Sequence, residues 1–210
     1  MLSALRSTLL LTLLTFAGLS VAATDARTVV EQTTHNLLAD LRENKELYRT
    51  NPSAFYTALD TIIGEVVDAE GVSRSVMTVR YSRRATPEQM QRFQENFKRS
   101  LIQFYGNALL EYDNQDIKVL PGERAQGNNR SEVRMEVTDQ KGVIYPVSYT
   151  MVQINGQWMM RNVIINGINV GKLFRDQFAE AMQRSGNDLD QVIDGWVDTV
   201  ARTRAAQDES

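Results

Sequence analysis

The spacing of apolar residues divides the chain into three stretches. Up to about residue 112 the apolar residues recur every three or four positions, which predicts helices. From Asp116 to Asn169 they alternate with polar residues, which predicts strands. The helical period returns after residue 169. We therefore predict an α+β fold with one sheet between two groups of helices.

Helix start signals support four helices in the first group and two in the last. Asn51 is a capping residue followed by Pro52 at the first helical position. Thr86 and Gln89 have the spacing of a capping box, with Pro87 after the cap. The predicted helices cover 25–44, a stretch from 52, 72–82, a long stretch from 86, 170–184 and 188–203, and the tail 206–210 is expected to fray.

Two turns determine how the strands pair. Asn155-Gly156 is typical of a two-residue hairpin, and Gly142 is typical of the left-handed position that ends a three-residue loop. About four antiparallel strands are predicted, at 116–120, 129–139, 143–153 and 157–168. The predicted pairs are Met151 with Met160, Tyr149 with Asn162, Val147 with Ile164, Met135 with Val147, and Val133 with Tyr149. Both turns place the same apolar residues on one face, so the twisted sheet has an apolar side and a polar side.

The apolar sheet face needs a cover, and the helix after Thr86 has an unusually aromatic stripe. If the helices cover the face completely, the space between them is an ordinary core. If they stand away from it, the space is a pocket for an apolar ligand. Periodicity alone does not distinguish these two cases.

The first residues have the three-part pattern of a signal peptide. Arg6 precedes an apolar run from Leu9 to Leu19, and small residues follow up to Ala23. This run is shorter than the roughly 20 residues that span a bilayer. We expect residues 1–23 to be removed after export, which leaves one domain, residues 24–205, without a membrane anchor. The chain has no cysteine, so a lipoprotein anchor is not expected.

The composition excludes most kinds of catalytic and metal site. Without cysteine there is no thiolate nucleophile, and the presence of a single histidine, His35, argues strongly against a histidine-based triad or a multi-histidine metal site. The net charge of −3 offers no basic surface for nucleic acid. We expect neither a catalytic residue, a metal nor a cofactor.

Two segments are similar to the MlaC family, also called the toluene-tolerance auxiliary family. The segment TPEQMQRFQENFKRSLIQFYGNALLEY (86–112) has the family's aromatic ladder, formed by Phe93, Phe97, Leu101 and Tyr105. The segment GQWMMRNVIINGINVGKLFRDQF (156–178) matches it at Trp158, Gly167, Arg175, Gln177 and Phe178. The likeness extends over the whole mature chain. One position departs from the family pattern, since Asn162 stands where the family usually has Asp.

The resemblance implies an NTF2-like α+β fold and a periplasmic lipid shuttle. Such a protein binds a glycerophospholipid as cargo, with the acyl chains in the pocket and the head group outside. It passes lipid between an outer-membrane lipoprotein–porin complex and an inner-membrane ABC transporter complex with its lipid-binding subunit, and so maintains outer-membrane lipid asymmetry. We expect a monomer with no role in nucleic-acid binding.

Under this interpretation the pocket is lined by residues of the sheet face and of the covering helices. The predicted lining residues are Leu59, Ile63, Val66, Val76, Val79, Phe93, Phe97, Leu101, Tyr105, Met135, Val147, Tyr149, Met151, Trp158, Met160, Ile164, Phe174 and Phe178.

Two alternatives belong to other classes of protein. An NTF2-like isomerase or dehydratase needs a carboxylate or histidine base in the pocket, and the predicted face offers only Tyr145, Tyr149 and Asn162 as polar groups. A periplasmic chaperone for apolar segments needs an open groove, whereas a carrier needs a deep, closed pocket.

Overall fold

The computed structural model describes residues 25–110, 116–122, 124–127 and 129–208, without the side chains of 104, 105, 107, 108 and 203–208. The predicted signal peptide, residues 1–23, lies outside these ranges. The helices are α1 (Ala26–Thr50), α2 (Pro52–Gly64), α3 (Ala69–Ser82), α4 (Pro87–Tyr105), α5 (Asn107–Leu110), α6 (Val170–Arg184), α7 (Leu189–Asp194) and α8 (Trp196–Asp208). The strands are β1 (Asp116–Val119), β2 (Arg124–Ala125), β3 (Arg130–Thr138), β4 (Ile144–Ile154), β5 (Gln157–Ile165) and β6 (Ile168–Asn169).

Two predicted helix starts are confirmed by their caps, whereas α3 begins at Ala69, three residues before the predicted start at 72. The Asn51 side chain accepts a hydrogen bond from the Ala54 amide, with Pro52 in the first turn of α2. Both bonds of the Thr86–Gln89 capping box are present at the start of α4. Helix α1 is longer than predicted because Tyr48, near its end, is buried. Helix α8 continues to Asp208, three residues into the segment predicted to fray.

Three predicted helices are interrupted. The long helix predicted from 86 is divided into α4 and α5 at Gly106. Thr78 in α3 has φ 60° and ψ 163°, which breaks the helical path and is rare for a β-branched residue. The break turns Val79 outward, so that 62% of the residue is exposed although Val76, three positions earlier, is buried. The predicted last helix is divided into α7 and α8 at Gly195.

The sheet has the order β1-β3-β4-β5-β6, and β2 pairs with β3 next to β1. The predicted β3–β4 register is confirmed, with Met135 opposite Val147 and Val133 opposite Tyr149. The two turn glycines have the positive φ that those turns require: 80° at Gly142 and 82° at Gly156. Met151 lies opposite Met160, also as predicted.

A β-bulge makes the rest of the predicted β4–β5 register wrong. The register shifts between Thr150 and Met151, because β5 contains one extra residue, Arg161. Tyr149 therefore lies opposite Val163, and Val147 opposite Ile165. The shift also moves two residues to the polar face of the sheet.

The two displaced residues are Asn162 and Ile164. Asn162 lies opposite Thr150, and its Oδ1 accepts a hydrogen bond from the Gly171 amide at the start of α6. Ile164 lies opposite Ser148, not on the face of Val147 as predicted. The predicted strand 157–168 also contains a turn at Asn166, after which β6 folds back on β5.

The described residues form separate apolar clusters, and the aromatic ladder does not cover the sheet. Phe93 packs against Phe178 and against Trp196, with ring centroids 5.3 Å apart in each pair. These rings belong to a helical cluster built from α3, α4, α6, α7 and α8. The sheet face is covered instead by the start of α1, where Ala26 and Val30 pack on Val133 and Met151.

Candidate binding cavity

A cavity of about 120 Å³ lies between the apolar face of the sheet and the hairpin of α1 and α2. Strands β4 and β5 form its floor, and α1 forms one wall. The other wall is formed by the last turn of α2 and by the residues that follow it. The lining residues are Val29, Val30, Thr33, Thr34 and Leu37 of α1, Ile63 and Val66 at the end of α2, and Tyr149, Met151 and Met160 of the sheet.

The lining is apolar except for three hydroxyl groups. Seven of its ten residues have aliphatic or thioether side chains, and the others are Thr33, Thr34 and Tyr149. None of the ten carries a carboxylate, an imidazole or an amine. Among the residues that the structure describes, no group of three histidine or acidic side chains could hold a metal ion. The cavity can therefore hold an apolar ligand and donate a few hydrogen bonds to it.

Helix α1 presents its lining residues as one stripe. Positions 29, 30, 33, 34 and 37 follow the three- and four-residue spacing of one helix face. The residues predicted to line the pocket include none from α1. The spacing of these five positions indicates a single helix face, but Thr33 and Thr34 are polar and so interrupt its apolar pattern.

The segment after α2 is attached to the edge of β5, directly at the bulge. The Met160 amide donates to the Val66 carbonyl at 2.7 Å, and the Asp68 amide donates to the Met160 carbonyl at 3.0 Å. Asp68 also forms an ion pair with Arg161, the extra residue of the bulge. These contacts hold Ile63 and Val66 against the cavity.

Asp68 and Gly71 start α3 where it meets the bulge. The Asp68 side chain accepts a hydrogen bond from the Gly71 amide at 2.9 Å and so caps the helix. A Cβ atom on Gly71 would overlap Asp68 Oδ2 and the Arg161 guanidinium. Any side chain at this position would therefore displace the Asp68–Arg161 pair.

Tyr149 is the polar residue of the sheet that faces the cavity. Loss of water around its hydroxyl raises the pKa of Tyr149 to about 12, and no hydrogen bond or charge contributes to this shift. The hydroxyl is protonated at neutral pH, as that of an ordinary tyrosine is, and can act as a hydrogen-bond donor.

Five of the residues predicted to line the pocket line this cavity: Ile63, Val66, Tyr149, Met151 and Met160. Trp158 packs on the same α1–sheet cluster, and Met135 and Val147 are buried. Leu59 is buried between α1 and α2. None of these four residues is part of the cavity lining.

The other predicted lining residues lie elsewhere. Val79 is exposed, Ile164 is on the polar face, and the side chain of Tyr105 lies outside the described residues. The remaining residues belong to the helical cluster, where they bury one another: Val76, Phe93, Phe97, Leu101, Phe174 and Phe178. An amphipathic stripe shows that a face is buried but not against what, so the sequence could not separate this core from a pocket.

The fold and the cavity define a class: an α+β binding domain whose apolar cavity lies between an antiparallel sheet and helices. The chain belongs to the MlaC family, whose model, described as MlaC protein, matches residues 31–198. The family expected from the sequence is thus confirmed.

Two curated relatives support this assignment. The chain is 61% identical to the toluene tolerance protein ttg2D of Pseudomonas putida over 210 residues, which cover 100% of this chain and 97% of the relative. It is 22% identical over 166 residues to the intermembrane phospholipid transport system binding protein MlaC of Haemophilus influenzae, which cover 78% of this chain and 77% of the relative.

A solved structure confirms the predicted α+β fold. The phospholipid-binding protein of Ralstonia solanacearum, solved in complex with a phospholipid, matches with a TM-score of 0.74 at 24% identity. The match covers 87% of this chain and 98% of that chain. In the part of this chain that the structure describes, none of the helices has the length and hydropathy needed to cross a bilayer.

Proposed function

We propose that this chain is a periplasmic phospholipid-binding protein that carries glycerophospholipids between the outer and inner membranes. The observation that supports it most directly is the apolar cavity between α1 and the sheet, lined by aliphatic and thioether side chains with no charged group. Each methylene removed from water contributes roughly 0.8 kcal/mol. An acyl chain therefore crosses an aqueous compartment only when a protein covers it.

The size of the cavity indicates how a lipid is taken up. At about 120 Å³ it is below the roughly 300–1,000 Å³ of ordinary small-molecule pockets. The α1–α2 hairpin forms the wall opposite the sheet, so loading requires this hairpin to move away from β4 and β5. The bound acyl chains then replace the contacts between the hairpin and the sheet.

The family supports the remainder of the proposal. The exported chain works as a monomer that receives and delivers lipid at an outer-membrane lipoprotein–porin complex and at an inner-membrane ABC transporter complex with its lipid-binding subunit. It maintains outer-membrane lipid asymmetry and performs no catalysis. The residues proposed to contact the acyl chains are Val30, Ile63, Val66, Met151 and Met160, with Tyr149 beside them.

The test is lipid recovery from protein purified without detergent. Organic extraction followed by mass spectrometry is expected to yield phospholipid in a fixed ratio to protein. Ile63→Trp places a bulky ring in the cavity and is expected to lower that ratio several-fold. Val79→Trp is the matched control, because Val79 is exposed and away from the cavity. Wild-type protein without phospholipid, or equal recovery from folded Ile63→Trp protein, contradicts the proposal.

A further inference from the structure

The three hydroxyl groups of the cavity are the starting point for a more specific inference about its ligand. Tyr149 projects from β4, and Thr33 and Thr34 lie on the stripe of α1 that faces the cavity. All other side chains of the lining are apolar. All three residues are only partly buried, so water can reach their hydroxyls while no ligand is bound. A bound acyl chain displaces that water, and each hydroxyl then costs free energy unless the ligand offers it a hydrogen-bond partner.

The protein itself supplies no partner to these hydroxyls within the described residues. The threonines at 50, 57 and 61 donate to the carbonyl four positions earlier, at 3.0–3.1 Å. This is the usual way in which a helical threonine satisfies its hydroxyl. Thr33, Thr34 and Tyr149 have no such bond among the described residues, and the shift in the Tyr149 pKa comes from burial alone.

The lining also restricts the chemistry of the acceptor that a ligand can offer. A carboxylate or a phosphate in this cavity would be buried without a cationic side chain among its ten lining residues, which is strongly unfavourable. A neutral carbonyl oxygen has no such cost. In a diacyl phospholipid the two ester carbonyls lie at the junction between the acyl chains and the head group, next to the chains that the apolar lining would hold.

We propose that the hydroxyls of Tyr149, Thr33 and Thr34 bind the ester carbonyl oxygens of a diacyl phospholipid, so that the cavity recognises the ester linkage itself. This inference rests on the proposed function, since it concerns the same cavity. It predicts selectivity at a part of the lipid that is common to all head groups and all chain lengths. Ether-linked lipids of equal shape lack these carbonyls and leave the hydroxyls without partners.

The test is a competition between diester and diether phosphatidylcholine with equal chains, presented in equal amounts in mixed vesicles. After exchange the protein is separated and its lipid is quantified by mass spectrometry. Wild-type protein is expected to enrich the diester lipid about fivefold, which corresponds to the loss of one ordinary hydrogen bond. Tyr149→Phe and the double variant Thr33→Val with Thr34→Val are each expected to reduce this enrichment toward one.

The control variant is Thr57→Val, which makes the same chemical change on the exposed side of α2 and is expected to keep the wild-type enrichment. Circular dichroism and thermal melting confirm that each variant is folded. Equal binding of both lipids by wild-type protein overturns the inference but leaves the carrier function standing, as does enrichment that all cavity variants retain. Uptake of neither lipid overturns both.

Discussion

Phe178 and Val79 lie in very different surroundings, although the sequence suggests the same role for both. Both were predicted to line a pocket. Phe178 is fully buried, and its ring lies 5.3 Å from Phe93 and 5.8 Å from Trp196. Val79 is 62% exposed because the chain breaks at Thr78. The aromatic residues of the helices therefore form a core and do not line the cavity.

Replacing Phe178 by Ala is expected to lower the free energy of unfolding by about 3–5 kcal/mol, because the variant loses a buried ring and leaves a void. Val79→Ala is expected to change it by less than about 0.5 kcal/mol. Chemical denaturation measures both. Lipid recovered per folded molecule should be the same in wild type and Phe178→Ala. A selective loss of lipid from folded Phe178→Ala protein would mean that the aromatic helices contact the ligand after all.

The junction between α3 and β5 organises the elements around the cavity. Arg161 is the extra residue of the bulge, and its partner Asp68 is both an ion-pair acceptor and the cap of α3. The Asp68 side chain is 8% exposed and that of Arg161 is 33% exposed. The pair is therefore shielded enough to matter for stability, unlike the surface pairs within single helices.

Two substitutions at Asp68 separate the ion pair from the helix cap. Asp68→Asn keeps an oxygen for the Gly71 amide and removes the charge opposite Arg161, so we expect a loss of about 1–3 kcal/mol in the free energy of unfolding. Asp68→Ala also removes the cap and is expected to cost about 1 kcal/mol more. Urea denaturation of wild type, Asp68→Asn and Asp68→Ala measures the three free energies of unfolding, which are expected to fall in that order. Wild-type stability in Asp68→Asn would show that the ion pair contributes nothing to stability.

The molecule as a whole contains two regions that differ in their relation to the cavity. The helical cluster around Phe93 and Trp196 shares no residue with the cavity lining. The α1–sheet cluster and the α1–α2 cluster both share residues with it, among them Val30, Met151 and Ile63. Loss of a ligand should therefore loosen one region and leave the other intact.

Hydrogen exchange of lipid-loaded and lipid-free protein tests this difference. Removal of lipid is expected to speed exchange in α1 and α2, because their contacts with the ligand are lost. Amides of α4, α6 and α8 should exchange at nearly the same rate in both states. The melting temperature of the lipid-free protein should also be lower, since a ligand that binds only the folded state stabilises it. Uniform loosening of the whole chain would contradict the division into two regions.

Much of the fold was predictable because its signals are local. The Asn155-Gly156 turn and the alternation on both sides of it are sufficient to pair Met151 with Met160. Two positions further on the prediction is wrong, because a bulge has no reliable mark in the alternation of apolar and polar residues. Arg161 occupies the bulge, and its partner Asp68 is 93 positions away in the chain.

The sequence by itself determined the class of fold, the helix starts at Asn51 and Thr86, the β3–β4 register and the family. It also showed which faces are apolar. Only the tertiary structure decided which apolar faces meet, and so which of them form the core around Trp196 and which enclose the cavity under α1. The physical reason is that burial of apolar surface is non-directional. A stripe of apolar residues gains as much from a neighbouring helix as from the sheet, and the choice depends on how the whole chain packs.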